Sequence, residues 1–275
     1  MEPSKNVIDH NINRFNLLTS LLAILNKNDV KDTEFIIAEY IITHMREMAH
    51  ISIYKVAEDC YLSRSSVQRF VKDIGYESYT QMKQNIAEVI EHEEALLNYT
   101  DHTGYADHLL ESLREMNDDI VKTAKGPKFL QLMDHFISAR SVVLLTAEDS
   151  AHACRLLQQQ ILATGRLIRI VSSASKNLSL LESLGEKDLL VVCSVTGNFA
   201  LAVNSQMKSI RAKKCLITLN RTTAFGNNYS LIYYIGNELK PSSSSISMFR
   251  NVYTTYGLTF FFDLFYHEYY LRQHQ

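Results

Sequence analysis

Side chains that can bind a nucleic acid are concentrated between residues 51 and 74. Arginine and glutamine make bidentate hydrogen bonds with base edges, and serine, arginine and lysine bind the phosphates on either side of a groove. Such contacts require the side chains to lie on one face of a rigid element. We predict that eight residues of this stretch contact double-stranded DNA: Ser52, Ser63, Arg64, Ser65, Ser66, Gln68, Arg69 and Lys72.

Two short helices joined by a tight turn are predicted to carry these side chains. Ser52 and Ser63 are placed to cap the helices, whose apolar residues recur three or four positions apart. The short turn, the polar residues near the start of the second helix, and a single acidic residue, Asp73, against three basic ones favour a DNA-binding helix-turn-helix. A plain helical hairpin has the same apolar and solvated faces, so that alternative stays open on these features.

The run ISIYKVAEDCYLSRSSVQRFVKDIGYESYTQMK resembles the N-terminal domain of the RpiR/MurR family of bacterial transcription regulators. It follows the family's pattern of a helix, a turn, a recognition helix S-x-x-[ST]-[VI]-x-R-F and a tail [LI]-G-[FY]-x-x-[FY]-x-x-[LM]-K. The resemblance extends from Thr33 to Ile86 and implies a regulator of carbohydrate-metabolism genes. Tyr61 departs from the family, which commonly has glycine at this place in the turn because glycine readily adopts a positive φ angle.

Length and composition indicate two domains and a cytoplasmic protein. The chain has 275 residues, of which 46% are hydrophobic, and a net charge of −2. This charge excludes a generally basic nucleic-acid coat, so any DNA contact must come from a local patch. The four cysteines are far apart and form no C-x-x-C pair, and the sequence has neither a signal peptide nor a membrane-spanning run. We therefore expect no metal and no cofactor.

From Ser141 onward, short apolar runs alternate with segments of helical spacing. This alternation predicts an α/β domain with a doubly wound parallel sheet, following an all-α helix-turn-helix bundle. We predict a DNA-binding domain over 1–98, a linker helix within 99–127 and the α/β domain over 128–275. A final helix from about Ser245 to Leu271 is predicted to bury Phe249, Val252, Tyr256, Phe260 and Leu264, and its aromatic density suggests a subunit contact.

The loop after the third predicted strand has the composition of a phosphate site. Ligands of parallel sheets bind at the carboxyl ends of the strands, where helix N-termini present backbone N–H groups. The loop Ser194-Val195-Thr196-Gly197-Asn198 has two hydroxyls, an amide and a glycine just before a predicted helix. The same residues also make a good helix cap, and this alternative stays open.

Residues 128–272 resemble the sugar isomerase (SIS) domain that follows the helix-turn-helix in RpiR-type regulators. The matching pieces are SVTGN, Gly165, LITLN and the closing Asp263-Leu264-Phe265-Tyr266. The resemblance implies a sugar-phosphate site that contains Ser150, Ser194, Thr196, Gly197 and Asn198. The first ligand loop departs from the family's G-x-G-x-S, because it reads Thr146-Ala147-Glu148-Asp149-Ser150 and introduces two carboxylates.

The favoured function is a homodimeric or homotetrameric transcription regulator whose α/β domain alters operator affinity when it binds a sugar-derived metabolite. Two alternatives remain: an α/β domain that serves only as a dimerisation platform, and a sugar-phosphate isomerase. An isomerase needs a positioned acid or base, and the available candidates are His152, Glu148, Glu238 and His267. None stands in a recognisable catalytic motif, so we predict no catalytic residue and no enzymatic activity.

Overall fold

The chain divides into two compact units, Met1–Asp101 and His102–Gln275. The computed structural model describes residues 17–100, 103–172, 179–237 and 252–274. The first unit is helical, with a 3-10 turn at Met45–Glu47. Its helices are α1 (Leu17–Lys27), α2 (Thr33–Thr43), α3 (Ile53–Asp59), α4 (Arg64–Asp73) and α5 (Tyr79–Thr100).

The core of the first unit draws apolar side chains from all of these helices. Residues three and four apart share one face of a helix, so each helix contributes a stripe. The stripe of α4 consists of Val67, Phe70 and Val71, which are at most 2% exposed. Burial of these side chains holds α4 firmly against the bundle and leaves its opposite face to solvent. Their core partners include Leu21, Ile37, Ile41, Val56 and Met82.

The second unit alternates strands and helices. Its helices are α6 (Tyr105–Thr123), α7 (Pro127–Ser138), α8 (Ala151–Ala163), α9 (Ser179–Glu182), α10 (Asn198–Ala202) and α11 (Leu258–Gln273). Its strands are β1 (Val142–Thr146), β2 (Arg169–Ser172), β3 (Leu189–Cys193), β4 (Lys213–Thr218) and β5 (Leu231–Tyr234). Helix α6, which lies in the predicted linker range, packs against α11 of this unit.

The five strands form a parallel sheet in the order β2-β1-β3-β4-β5. Every residue of β1 and β3 is buried, as expected for central strands that are covered on both faces. The chain reverses its direction of travel across the sheet between β1 and β3, which opens a crevice at the carboxyl ends of these strands. The predicted fold class, a helical bundle followed by a doubly wound parallel sheet, is confirmed.

The predicted burial along the final helix is confirmed at Val252, which is 2% exposed, and is wrong by one residue from Tyr256 onward. Phe261 and Phe265 are 0% and 3% exposed, whereas Tyr256 is 45% exposed and Phe260 and Leu264 are only partly buried. A π-helical turn at Tyr253–Gly257 precedes α11. Because such a turn contains one extra residue, the helix beyond it is rotated by about 100°. Residues 245–251 of the predicted helix lie outside the described residues.

Four aromatic residues of α11, Phe261, Phe262, Phe265 and Tyr269, are buried inside the unit itself. The rings of Phe136 and Phe265 have centroids 5.0 Å apart at an interplanar angle of 79°, the edge-on arrangement that aromatic pairs prefer. The ring centroid of Phe261 lies 5.0 Å from that of Tyr233 in β5 and 6.0 Å from that of Phe129 in α7. These contacts account for the buried aromatic residues of α11, and the subunit contact stays a prediction.

Candidate functional site

The outer face of α4 presents polar side chains together. Arg64, Ser65, Arg69 and Lys72 are exposed and Gln68 is partly exposed. At about 100° per residue, Ser65, Arg69 and Lys72 lie opposite the buried stripe of the helix, and Gln68 lies at the edge of this face. Arg64 is exposed at the first turn of the helix, and Ser66 is partly exposed. The role of these residues as DNA contacts stays a prediction.

Ser52 and Ser63 cap the N-termini of α3 and α4. The Ser63 hydroxyl accepts a hydrogen bond from the Ser66 backbone N–H at 3.1 Å and lies 2.7 Å from the Ser65 hydroxyl and 2.9 Å from that of Ser66. The Ser52 hydroxyl accepts from the Lys55 N–H at 3.2 Å. Each serine thus satisfies a backbone donor that the helix leaves unpaired. The prediction of capping is confirmed at both positions.

The turn between α3 and α4 keeps a positive φ angle even though it has no glycine. Tyr61 has a φ of +55° and is 95% exposed. The tyrosine therefore occupies the left-handed conformation that glycine adopts with less strain.

Tyr54 of α3 is a surface residue of this unit that the sequence analysis missed. It is 64% exposed, and the Arg64 guanidinium lies 4.9 Å from the centre of its ring. This cation–π contact restricts the Arg64 side chain at the start of α4. An aromatic residue on the polar face of α3 was the signal in the sequence that could have identified it.

Arg69 borders an acidic cleft beside α4. The cleft has a volume of about 300 Å³, and its lining includes Asp32, Glu34, Arg69 and Asp73. Burial, together with the nearby Glu34, raises the pKa of the Asp73 carboxyl, and the Arg69 guanidinium lowers it. The positive charge of Arg69 therefore stands at the boundary between the basic outer face of α4 and this cleft.

At the carboxyl edge of the sheet, the predicted phosphate loop caps its own helix. The buried Ser194 hydroxyl accepts from the Ala200 N–H at 3.2 Å, and the Thr196 hydroxyl accepts from the Asn198 N–H at 3.4 Å. Gly197 has a φ of +81°, and a Cβ there would lie 2.5 Å from the Asn220 Cβ, so glycine is required. These hydrogen bonds are those expected of a helix cap. That the loop, including the exposed Asn198, contacts a ligand stays a prediction.

The first ligand loop is acidic but contains an ion pair. Glu148 accepts a hydrogen bond from Arg155 of α8 at 3.0 Å, and Ser150 is buried directly before that helix. A second cation, Arg221, follows β4, donates to the Gly236 carbonyl at 3.0 Å and lies 4.1 Å from the centre of the Tyr234 ring. Neither arginine could be identified from the sequence, since neither belongs to a motif.

The candidate catalytic residues do not form a recognisable site. His152 and His267 are exposed on α8 and α11, and Glu148 is held by Arg155. Glu238 lies outside the described residues. In the described part of the chain, no group of histidine, cysteine, aspartate and glutamate residues could hold a metal ion. Among the same residues, no helix is both long and apolar enough to cross a membrane.

Residues 16–93 match the family described as a helix-turn-helix domain of the rpiR family. The HTH-type transcriptional regulator GlvR of Bacillus subtilis (strain 168) is 22% identical to this chain over 172 residues. These residues cover 61% of this chain and 63% of GlvR. The match therefore spans less than two thirds of the length of this curated relative.

Two solved structures resemble the chain. The Vibrio vulnificus NanR protein complexed with ManNAc-6P is 15% identical, with coverage of 94% of this chain and 92% of that one and a TM-score of 0.44. The sugar isomerase domain of an RpiR transcription factor from Sphaerobacter thermophilus is 14% identical, with coverage of 59% and 87% and a TM-score of 0.44. The family match confirms the resemblance found in the sequence. Residues 16–93 of this chain are therefore similar to the helix-turn-helix domain of the rpiR family.

Proposed function

We propose that the protein is a DNA-binding transcription regulator that controls carbohydrate-metabolism genes. One observation carries this proposal. Three cations and two neutral polar side chains of α4 are exposed or partly exposed, while the other face of this helix is buried in the core. A helix of ten residues with such a face fits the major groove. In this arrangement Arg69 and Gln68 contact base edges, and Ser65 and Lys72 contact phosphates.

The proposed regulator binds DNA as a homodimer or homotetramer. Two copies of α4 related by a two-fold axis contact two half-sites about 34 Å apart. We assign the DNA-binding role to residues 1–98, the linker to 99–127 and the sensing and oligomerisation role to 128–275. These boundaries are part of the proposal.

We further propose that the α/β unit binds a sugar phosphate at the carboxyl edge of its sheet. The proposed contacts are Ser150, Ser194, Thr196, Gly197 and Asn198. Support comes from the crevice between β1 and β3 and from two arginines near this edge, Arg155 and Arg221. Open α/β sheets bind ligands in this crevice. Binding changes operator affinity if the ligand prefers one arrangement of the two copies of α4.

A second candidate for the α/β unit is a dimerisation platform without a ligand. The hydroxyls of Ser194 and Thr196 already accept backbone hydrogen bonds, and Arg155 is paired with Glu148. Arg155 would have to leave Glu148 to bind a phosphate, which favours the platform. The two hydroxyls each keep an O–H donor. We propose no catalytic activity for either candidate, and turnover of a sugar phosphate by the purified protein would contradict this.

Replacing Arg69 by alanine tests the DNA-binding proposal. A duplex selected by the wild-type protein from a random-sequence library serves as the probe, and fluorescence anisotropy gives its Kd at several salt concentrations. We expect Arg69→Ala to weaken binding by about tenfold to a hundredfold, because one charged contact is worth about 1–3 kcal/mol. The loss should be larger for the selected duplex than for an unrelated duplex of equal length, because an arginine that contacts base edges reads the sequence.

Arg46→Ala is the matched control for this experiment. Arg46 is also an exposed arginine of the first unit, and it pairs with Glu94 at 3.2 Å rather than lying on α4. Its loss should leave the affinity for the duplex nearly unchanged. Equal affinity of Arg69→Ala and the wild type would show that α4 is not the recognition helix, and selection of no duplex by the wild type would overturn the proposed function.

A further inference from the structure

Tyr61 stands at a position where the backbone favours glycine. Its N–H donates to the Glu58 carbonyl at 3.1 Å, and the Leu62 N–H donates to the Ala57 carbonyl at 2.8 Å. These two bonds form a Schellman motif, in which the residue after the helix adopts a positive φ angle. In the described part of the chain, Tyr61 is the one non-glycine residue with a positive φ.

The end of α4 has the same motif with glycine in the corresponding place. Gly75 has a φ of +95°, its N–H donates to the Lys72 carbonyl at 2.9 Å, and the Tyr76 N–H donates to the Val71 carbonyl at 3.0 Å. The chain thus closes one helix with glycine and the other with a tyrosine that must adopt a strained backbone. The turn itself does not require the tyrosine.

Packing does not explain the tyrosine either. The Tyr61 side chain is 95% exposed, so its ring removes almost no apolar surface from water. Backbone strain that is not offset by burial clusters at functional sites. A binding role of the exposed side chain would account for this strain.

The surroundings of Tyr61 identify the partner. The next residues are Leu62, the α4 N-cap Ser63 and Arg64, and Arg64 contacts the exposed ring of Tyr54. A tyrosine hydroxyl is a neutral hydrogen-bond donor of the type that binds phosphate oxygens of DNA and fixes the register of a protein on the duplex. A side chain that projects from the turn, outside α4, is placed to contact the backbone beside the groove rather than the bases.

We propose that the Tyr61 hydroxyl donates a hydrogen bond to a DNA phosphate beside the groove that α4 enters. This inference rests on the proposed function, because it needs α4 as the recognition helix. It adds a positioning residue in which backbone strain is retained for the sake of the contact. The partner is the sugar-phosphate backbone, so the contact strengthens binding to every sequence.

Three variants in the full-length chain test this inference. Tyr61→Phe removes only the hydroxyl, Tyr61→Gly removes the whole side chain and the strain, and Tyr270→Phe is the control at another exposed tyrosine, on α11. The probes are the duplex selected by the wild type and an unrelated duplex of equal length. Anisotropy titrations at several salt concentrations and melting temperatures are recorded for each variant.

We expect Tyr61→Phe to bind both duplexes about tenfold more weakly, the effect of losing a hydrogen bond to a charged group. The slope of log K against log salt should not change, because the hydroxyl neutralises no phosphate charge. Tyr61→Gly should lose at least as much affinity while its melting temperature is no lower than that of the wild type, because glycine relieves the strain. Tyr270→Phe should bind like the wild type.

Each contrary result has a separate meaning. If Tyr61→Phe binds as tightly as the wild type while Arg69→Ala binds weakly, this inference is wrong and the proposed function stands. A loss confined to the selected duplex indicates a base contact and also overturns the inference. A lower melting temperature of Tyr61→Gly would show that the tyrosine supports the turn. If the wild type binds neither duplex, the proposed function and the inference fall together.

Discussion

Asp188 is a buried carboxylate at the amino end of β3, and its charge is satisfied from several directions. Arg140 donates two hydrogen bonds to it, at 2.9 Å and 2.6 Å, and Ser141 donates a third at 2.9 Å. The Gly185 N–H also donates, at 2.9 Å. The hydrogen bonds from Arg140 hold the pKa of the Asp188 carboxyl well below its ordinary value of 3.8. This residue thus links the segments before β1 and β3.

Asp188→Asn should destabilise the second unit in a pH-dependent way. Because the pKa of Asp188 is lower in the folded than in the unfolded chain, its stabilisation is present in full above the unfolded value of about 3.8 and is lost as the pH falls toward the folded value. At neutral pH we expect the melting temperature to drop by on the order of 5 °C. The difference from the wild type should shrink below pH 4, as measured by thermal unfolding monitored by circular dichroism.

Asp134→Asn is the control for this prediction. Asp134 pairs with Arg272 at 2.7 Å, but its side chain is 66% exposed, and exposed ion pairs contribute little to stability. The melting temperature of Asp134→Asn should stay close to that of the wild type at all pH values. A difference between Asp188→Asn and the wild type that is constant down to pH 2 would contradict the role assigned to the Asp188 charge.

At the scale of the element, α4 is delimited by hydrogen bonds at both ends. Ser63 caps its first turn and the Schellman motif at Gly75 closes its last. Its buried stripe sets the rotation of the helix, and the caps set where it begins and ends. Recognition by α4 therefore depends on the Ser63 cap as well as on the side chains of the outer face.

Two substitutions at Ser63 separate capping from DNA binding. Ser63→Ala removes the cap and should lower the free energy of unfolding of the first unit by about 1 kcal/mol. Ser63→Asp retains a good cap and interacts favourably with the helix dipole, so stability should be kept. Its carboxylate, however, would face the phosphates, so DNA affinity should fall. Urea unfolding and anisotropy titrations measure the two effects.

Ser52→Ala provides a comparison, because Ser52 caps α3 with the same type of bond. Ser52→Ala should lower the free energy of unfolding of the first unit by a similar amount. If Ser63→Asp bound DNA as well as the wild type, the N-terminus of α4 would not lie near a phosphate.

At the scale of the whole molecule, the chain has two compact units with separate cores. Proteins of this kind commonly unfold in more than one step. A ligand that binds only one native unit raises the stability of that unit by RT ln(1 + [L]/Kd). Ligand binding to the α/β unit should therefore be visible as a shift of its own transition.

Thermal unfolding tests the proposed ligand site. It is measured in the presence of hexose, pentose and amino-sugar phosphates, and of the unphosphorylated sugars for comparison. At a hundredfold excess over Kd a true ligand contributes about 2.7 kcal/mol, which raises the melting temperature by about 5–10 °C. Asn198→Ala should reduce this shift. The Asn198 side chain is exposed, so this variant should leave the unliganded protein as stable as the wild type. A panel without any shift would support the dimerisation platform.

Much of the fold could be predicted because its signals are local. The stripe Val67, Phe70 and Val71 recurs at helical spacing and defines the inner and outer faces of α4. The apolar runs around β1 and β3 predict buried parallel strands from composition alone. The candidate DNA interface could be predicted for the same reason, since its residues lie on one short helix.

Other features could not be predicted because they depend on distant residues. Glu148 adds a carboxylate to the sheet edge, and only the folded chain places Arg155 beside it. Ser194 had the composition of a phosphate site, yet its hydroxyl bonds to the Ala200 N–H. Burial along α11 is displaced by the π-helical turn before it, and an apolar pattern does not reveal an inserted residue.

The sequence by itself determined the fold class, the resemblance of residues 16–93 to a helix-turn-helix domain of the rpiR family and the face of α4, because periodicity, motifs and caps act within a few residues of each other. Only the tertiary structure decided which charges are paired, which hydroxyls are already bonded and that Tyr61 adopts a strained backbone. Arg140 and Asp188 are 48 residues apart and meet only because β1 and β3 lie side by side. Partners of this kind are chosen by packing across the whole chain, and a local pattern has no information about them.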